Sequence, residues 1–218
     1  MTDAKTFDAY EFIGVITPGA VLALLMALQW PDFRALLGHE ELSIGGLGLL
    51  VVASFVIGHM VQAVGNVLES IVWALPGMPS TWVTRPNQQL LTSSQRHQLE
   101  TKVLEIEPHA ADLTAFSRKA WLGVTARLYA KVNAAGRAGR IDACNRTYGL
   151  SRGLAAAFFL AAAWTFYEDR TVSTEVLVFV GLLIIALYRM VRAGRHYARS
   201  LYLTFLDLPA VSESAPRA

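Results

Sequence analysis

Four polar side chains lie in or just after the second long apolar stretch of the sequence. This stretch carries no charged residue from Ile44 to Leu68. The four are His59, Gln62, Asn66 and Glu69. Their spacing of i, i+3, i+7 and i+10 predicts one polar face on a helix. Lipid cannot hydrogen-bond such groups, so they must face a helix bundle or a water-filled path. Because a histidine can change charge near neutral pH, one interpretation is a lining for an ion or proton path.

The alternative interpretation is that this polar face holds helices together. Hydrogen bonds between membrane helices are common, although each contributes on average well under about 1 kcal/mol. Glycine lets helix backbones approach closely, and four glycines occupy helix-packing positions in two apolar stretches. They are Gly58, Gly65, Gly149 and Gly153. The sequence favours the packing interpretation and leaves both open.

Motifs for catalysis and metal binding are missing from the sequence. It contains no phosphate-binding G-x-x-x-x-G-K-[ST] loop, no zinc-binding H-E-x-x-H motif and no G-x-S-x-G nucleophile turn. The five histidines are scattered, and the one cysteine, Cys144, cannot form an intramolecular disulfide. We therefore expect no enzyme activity, no catalytic residue, no metal and no cofactor.

The composition is typical of a membrane protein. Of 218 residues, 54% are hydrophobic and 17% are charged, against about 25% charged in a typical soluble chain. Because about 20 apolar residues cross a hydrocarbon core, we predict an all-α integral membrane protein with four transmembrane helices. The predicted spans are 12–30, 44–68, 149–167 and 172–188. Pro18 lies inside the first, so a neighbouring group must satisfy the backbone carbonyl that the proline leaves unpaired.

The predicted organisation has two transmembrane hairpins separated by a helical cytoplasmic insert between the second and third spans. The hairpins are 1–76 and 149–206, the second ending in a basic helix, and the insert is 77–148. Residues 207–218 are predicted to be a disordered tail.

Two amphipathic helices are predicted inside the insert. Ser93–Ser94 should cap the first of them. The second should carry five apolar residues on one face, and these are Leu113, Phe116, Ala120, Val124 and Leu128.

The distribution of positive charge predicts the orientation. Ten Lys and Arg residues lie between Gly77 and Arg146 and five more follow the fourth span, whereas the other two connections contain only Arg34 and Arg170. Positively charged connections stay in the cytoplasm. We therefore predict a multi-pass bacterial inner-membrane protein with the insert and both termini in the cytoplasm.

Four arginines follow the fourth span along a basic, aromatic helix. They are Arg189, Arg192, Arg195 and Arg199. Such residues contact lipid headgroups or another anionic partner. A nucleotide or nucleic acid is the less favoured ligand, because binding one needs a concave basic surface.

Three patches of the sequence carry a resemblance to known proteins: 55–62 with Gly65 and Glu69, 145–152, and 196–204. They resemble a scattered group of small, uncharacterised four-span bacterial inner-membrane proteins. The resemblance spans most of the chain and implies no particular activity. In general form the chain is also similar to small membrane effectors of bacterial antiviral defence, whose oligomers compromise the membrane.

Two functional hypotheses follow from these observations. The first is an oligomeric pore-like or membrane-perturbing effector, in which the polar face lines the path or controls its opening. The alternative is a non-conducting scaffold whose insert docks a cytoplasmic partner. Its docking surface would be formed or supported by Phe116, Trp121, Val124 and Leu128. Membrane lipids and further copies of the chain, as a homo-oligomer, are the partners expected for the first hypothesis.

Overall fold

The computed structural model describes residues 12–37, 44–108 and 110–209, and within these ranges every regular element is helical. The α-helices are α1 (Thr17–Gln29), α2 (Pro31–Leu37), α3 (Ile44–Val72), α4 (Ser93–Leu104), α5 (Arg118–Ala134), α6 (Gly139–Asp169) and α7 (Thr174–Leu206). A π-helical turn, Phe12–Ile16, precedes α1, and 3-10 helices occupy Pro79–Thr84 and Leu113–Ala115. The N-terminal residues 1–11 and residues 210–218 of the predicted tail lie outside the described ranges.

Three of these helices, α3, α6 and α7, are long and apolar enough to cross a membrane. The first predicted span, 12–30, corresponds to a shorter apolar helix, Gly14–Gln29, which falls below the roughly 20 residues that usually cross the hydrocarbon core. Helices α6 and α7 extend well beyond the predicted spans 149–167 and 172–188. The all-helical prediction is therefore confirmed for the described residues, with three helices of spanning length.

The described chain divides into two regions. The span region comprises residues 12–37, 44–75 and 146–192, and the head region comprises residues 76–108, 110–145 and 193–209. The boundary falls inside α6 and α7. The last part of α7 therefore groups with the head region, whereas it was predicted to belong to the C-terminal hairpin.

In the span region, α1 packs on α3 with little space between the two backbones. A Cβ atom added at Gly19 would clash with the carbonyl oxygen of Ser54, and one added at Gly58 would clash with that of Val15. Small residues therefore set the helix separation, as is common in membrane bundles. Since Val15 meets Gly58 and Gly19 meets Ser54, α1 and α3 run antiparallel.

Helices α1 and α6 of the span region run parallel to each other. Near the start of α1, Pro18 lies beside Gly153, where an added Cβ would come within 2.6 Å of the Pro18 Cγ. At the end of α1, Gln29 donates from Nε2 to Thr165 Oγ1 at 2.9 Å. The earlier residue of α1 thus contacts the earlier residue of α6, and the later residue contacts the later one.

The head region encloses an apolar core of the kind found in water-soluble domains. Trp121 and Tyr202 are both 0% exposed, and the Trp121 Nε1 donates to the Ser80 carbonyl at 2.6 Å. The same core contains Val83, Leu99, Val103, Leu113, Val124, Leu128, Val132, Ile141 and Leu201. Burying an indole with its N–H satisfied combines a large apolar area with no unpaired donor.

The first helix of the head region begins differently from the prediction. Thr92, not Ser93 or Ser94, is the N-cap of α4, and it forms a capping box with Gln95. The Thr92 hydroxyl accepts from the Gln95 amide while the Gln95 side chain accepts from the Thr92 amide. The two hydrogen bonds satisfy the backbone amides of both Thr92 and Gln95. Ser93 does not form such a pair in this structure.

The prediction that one helical face carries both Leu113 and Phe116 was wrong. The Asp112 carboxylate accepts from the amides of Thr114 and Ala115 and holds a short 3-10 turn, which separates these residues from α5. Side chains of this type compete with helix formation by bonding nearby amides. The Thr114 hydroxyl donates to the same carboxylate at 2.6 Å. This hydrogen bond, with those from the two amides, lowers the pKa of Asp112 below its usual value.

Candidate functional site

A polar cluster joins α3 and α6 in the span region, with Arg152 at its centre. Arg152 donates from Nη1 to Glu69 Oε2 at 2.6 Å and from Nη2 to Gln62 Oε1 at 2.9 Å. The side chains of Arg152 and Glu69 are 19% and 15% exposed. Gln62 and Glu69 lie two turns apart on one face of α3, so one guanidinium hydrogen-bonds to two turns of the neighbouring helix.

Gln62 also satisfies a backbone group that the sequence leaves unpaired. In an α-helix the carbonyl of Gly14 would accept from the amide of residue 18, but Pro18 has no N–H. The Gln62 Nε2 donates to this Gly14 carbonyl. The prediction that a neighbouring group must satisfy the carbonyl freed by Pro18 is confirmed.

The cluster continues along α3 through two aromatic side chains. Trp73, the residue after α3, donates from Nε1 to the Tyr148 hydroxyl of α6 at 2.8 Å. Gln62 and Glu69 meet Arg152, whereas Trp73, further along the chain, meets the earlier residue Tyr148, so α3 and α6 run antiparallel. Polar contacts with α6 thus occur from Gln62 to Trp73.

The pairing between Arg152 and Glu69 neutralises both charges inside an apolar bundle. An isolated arginine at the centre of a membrane helix costs roughly 2.5–3.5 kcal/mol on insertion scales. Removing one partner of a buried ion pair leaves the other charge uncompensated, which is more harmful than replacing both. We therefore interpret the cluster as a lock that fixes the register of α3 against α6.

Arg152 is not among the site residues predicted from the sequence. It is the one charged residue in the predicted span 149–167. An arginine in an otherwise uncharged stretch requires an acidic partner at the same depth, and that signal could have led to Glu69. Tyr148 and Trp73 carry no comparable sequence signal.

The predicted polar face of α3 divides into two pairs in the structure. Gln62 and Glu69 contact Arg152, while His59 and Asn66 are exposed. The His59 ring packs edge-to-face on Phe55, with ring centroids 4.6 Å apart. The exposed apolar neighbours of this second pair on α3 are Val56, Met60 and Val67.

The glycines predicted to pack between helices lie close to other helices or are buried. A Cβ at Gly65 would lie 3.2 Å from the Arg152 Cγ, and one at Gly153 would lie 2.8 Å from the Gln62 Nε2. Gly58 meets α1 as described above, and Gly149 is buried. Gly65 and Gly153 therefore give the polar cluster its space.

The four arginines predicted to meet an anionic partner are all exposed. Arg189 and Arg192 belong to the span region, and Arg195 and Arg199 belong to the head region. The Arg195 guanidinium lies 5.1 Å from the centre of the Trp82 ring.

The side chains predicted to form or support a docking surface on the insert are interior residues. Trp121, Val124 and Leu128 are 0%, 2% and 0% exposed, and Phe116 is half-buried against the same core. They stabilise the head region rather than offer a surface to a partner.

No family model, curated protein or solved structure matches this chain. In the described ranges no group of three or more His, Cys, Asp or Glu side chains could hold a metal ion. The fold and the cluster together define a helical protein with three helices of spanning length and an internal arginine-centred lock.

Proposed function

We propose that the chain is an oligomeric bacterial inner-membrane protein that acts as a pore-like or membrane-perturbing effector. The observation that supports this most directly is the exposure of His59, halfway along α3, together with Asn66 on the same face. Lipid satisfies neither side chain. A second copy of α3 or a water-filled path between copies would satisfy both.

The division of the polar face gives the two pairs different roles. Gln62 and Glu69 are occupied by Arg152 within one chain, so they hold the protomer together. His59 and Asn66 face outward and are the residues that would line a path between protomers. This assignment combines the two interpretations of the sequence instead of choosing between them.

The directions of the helices support spans that cross the membrane in alternate directions, and the positively charged connections favour cytoplasmic termini. Helices α1 and α6 run in one direction and α3 runs in the other, as expected if the first and third spans leave the cytoplasm and the second returns. In this topology α7 is the fourth span, and residues 77–148 are a cytoplasmic insert. A first span as short as Gly14–Gln29 would be accommodated by local thinning of the bilayer, which suits a membrane-perturbing role.

Flux from vesicles tests the lining role. Purified protein is reconstituted into phosphatidylethanolamine and phosphatidylglycerol vesicles that contain a potassium indicator and a small dye. We expect wild-type protein to release one or both and the H59L/N66L variant to behave like protein-free vesicles. The matched control, M60L/V67L, changes two exposed apolar neighbours and should retain wild-type flux. Unchanged flux in H59L/N66L would contradict the lining role.

The alternative function is a non-conducting scaffold that docks a cytoplasmic partner. It is favoured by the separate apolar core of the head region, which gives that region a stable surface of its own. Because Trp121, Val124 and Leu128 are interior, the docking surface would have to consist of other residues. Vesicles that stay intact with wild-type protein, together with stoichiometric capture of one protein from detergent extracts, would support the scaffold over the pore.

A further inference from the structure

The head region contains an open pocket of about 300 Å³ that is rich in cationic and amide groups. Its lining residues are Trp82, Arg85, Asn87, Gln88, Gln89, Leu90 and Arg195. None of them is acidic. A pocket of this size lies at the lower end of the range for small-molecule sites.

Hydrogen bonds fix the indole of Trp82 in this pocket. Its Nε1 donates to the carbonyls of Pro76 and Gly77 at 2.8 and 3.0 Å. Gly77 has a φ of +65°, a conformation that glycine adopts without strain. The indole N–H is thereby occupied, and the ring presents a face over which the Arg195 guanidinium lies.

Arg85 supplies a second guanidinium to the same pocket. Its Nη2 donates to the Pro76 carbonyl at 2.5 Å, and because a guanidinium has five N–H donors others are left for a ligand. Neither Arg85 nor Arg195 takes part in the ion pairs Arg127–Glu107 and Arg152–Glu69.

The side chain of Gln88 stabilises the loop that carries the amide side chains of Asn87 and Gln89. Its Oε1 accepts from the amides of Leu90 and Leu91 at 2.7 and 2.8 Å, and its Nε2 donates to the Leu91 carbonyl at 2.9 Å. The side chains of Asn87 and Gln89 are exposed at the pocket and provide neutral donors.

We propose that this pocket binds the phosphate group of an anionic ligand. Arg85 and Arg195 would supply the charged donors, since guanidinium groups match the geometry of phosphate oxygens. Residues 82–90 and Arg195 follow apolar spans in the sequence, and basic residues that follow a membrane span bind phospholipid headgroups. A phospholipid headgroup and free phosphate share the chemistry that these residues recognise. The proposal does not depend on whether the chain conducts ions.

Calorimetric titration of the full-length protein in a non-ionic detergent tests this site. The two probes are inorganic phosphate and glycerophosphoglycerol, the water-soluble headgroup of phosphatidylglycerol. We expect saturable binding, weakened about tenfold or more in R85Q/R195Q, because each charge-assisted hydrogen bond is worth a factor of that order. Tighter binding of glycerophosphoglycerol would identify a lipid headgroup as the source, and tighter binding of inorganic phosphate would identify a free ligand.

The matched control is R118Q/R140Q, which removes two exposed arginines of the head region that do not line the pocket. It changes the net charge by the same amount and should bind as wild type does. The single variant R195Q alters only an exposed side chain, so it reports on the pocket even if the double variant is unstable. Absence of binding by wild-type protein, or equal loss in R118Q/R140Q, would overturn the proposal.

Discussion

The span region exposes many large apolar side chains, whereas the head region buries them. In the span region, Leu177 and Ile184 of α7 are 60% and 61% exposed, whereas in the head region Trp121 and Leu99 are both 0% exposed. Among the exposed large apolar side chains of the described residues, Leu122 alone belongs to the head region. An exposed apolar surface of the extent found in the span region is unfavourable in water. The two regions are therefore built for different solvents.

The same contrast extends to what makes each region specific. In the span region, glycine contacts and the Arg152 cluster fix the helices, since lipid gives apolar side chains no reason to prefer the interior. In the head region, water drives large side chains into one core. Substitutions in the two regions should consequently act through different mechanisms.

The largest expected effect comes from Trp121→Ala in the head region. It removes a fully buried indole and its hydrogen bond to Ser80, and a change of this kind costs about 3–5 kcal/mol. The control is the next residue, since Leu122→Ala alters a side chain that is 46% exposed and should change stability by no more than about 0.5 kcal/mol. Chemical denaturation followed by circular dichroism in detergent measures both. Equal effects would show that the head region lacks the closed core described above.

The second effect concerns the lock in the span region. Arg152→Leu leaves Glu69 without its charge partner and should destabilise the bundle by roughly 3 kcal/mol, the lower end of the range for broken buried pairs. The double variant E69L/R152L should be more stable than either single variant, because no uncompensated charge remains. Unfolding of all four proteins in mixed micelles gives the interaction energy. Additive effects would mean that the ion pair does not couple α3 to α6.

The third effect tests the close backbone contact in the span region. Gly58→Ala places a Cβ against the Val15 carbonyl, and such overpacking should cost about 1–3 kcal/mol. Gly48 lies on the same helix with no heavy atom within 4 Å of an added Cβ, so Gly48→Ala should stabilise α3 by about 0.5–1 kcal/mol. Thermal unfolding in detergent compares the two. A shift of the unfolding midpoint in the same direction for both variants would contradict the close backbone contact at Gly58.

The smallest effect is a pH-dependent one in the head region. The Tyr129 hydroxyl donates to Asp142 at 2.7 Å, and this hydrogen bond raises the pKa of Tyr129 to about 12 from its usual value of about 10. Folding thus favours the protonated phenol. The contribution of this hydrogen bond to the free energy of unfolding is fully present below pH 10 and is lost as the pH rises through 12.

A comparison of the wild-type protein with the Tyr129→Phe variant isolates the hydrogen bond between Tyr129 and Asp142. The difference in unfolding free energy should be about 1 kcal/mol, constant from pH 7 to 9, and should shrink between pH 10 and 12. Denaturation series at these pH values measure it. A difference that grows with pH would refute the assigned hydrogen bond.

The parts of the structure that follow from local sequence were predictable, and those that depend on helix register were not. Apolar stretches indicated the long helices, and Pro18 indicated a carbonyl in need of a partner. The pairing of Arg152 with Glu69 depends on the register of two helices that are far apart in the chain. The same holds for Arg195 and Trp82, which no local pattern connects.

The starts of helices were also not determined by the local sequence. Thr92, Ser93 and Ser94 can all serve as N-caps, and only the backbone conformation selects Thr92. The split of the polar face also needed the structure. Spacing placed four residues on one side of α3, whereas only the position of α6 separates Gln62 from His59.

Spin-label accessibility tests most directly the claim that the two regions are built for different solvents. In a Cys144→Ser background, single labels at Leu177 and Ile184 in the span region are compared with one at Leu122 in the head region, using protein in lipid bilayers. We expect molecular oxygen, which concentrates in lipid, to be the more effective relaxant at 177 and 184. A water-soluble nickel chelate should be the more effective one at 122. Nickel-chelate accessibility at 177 and 184 equal to that at 122 would contradict the account.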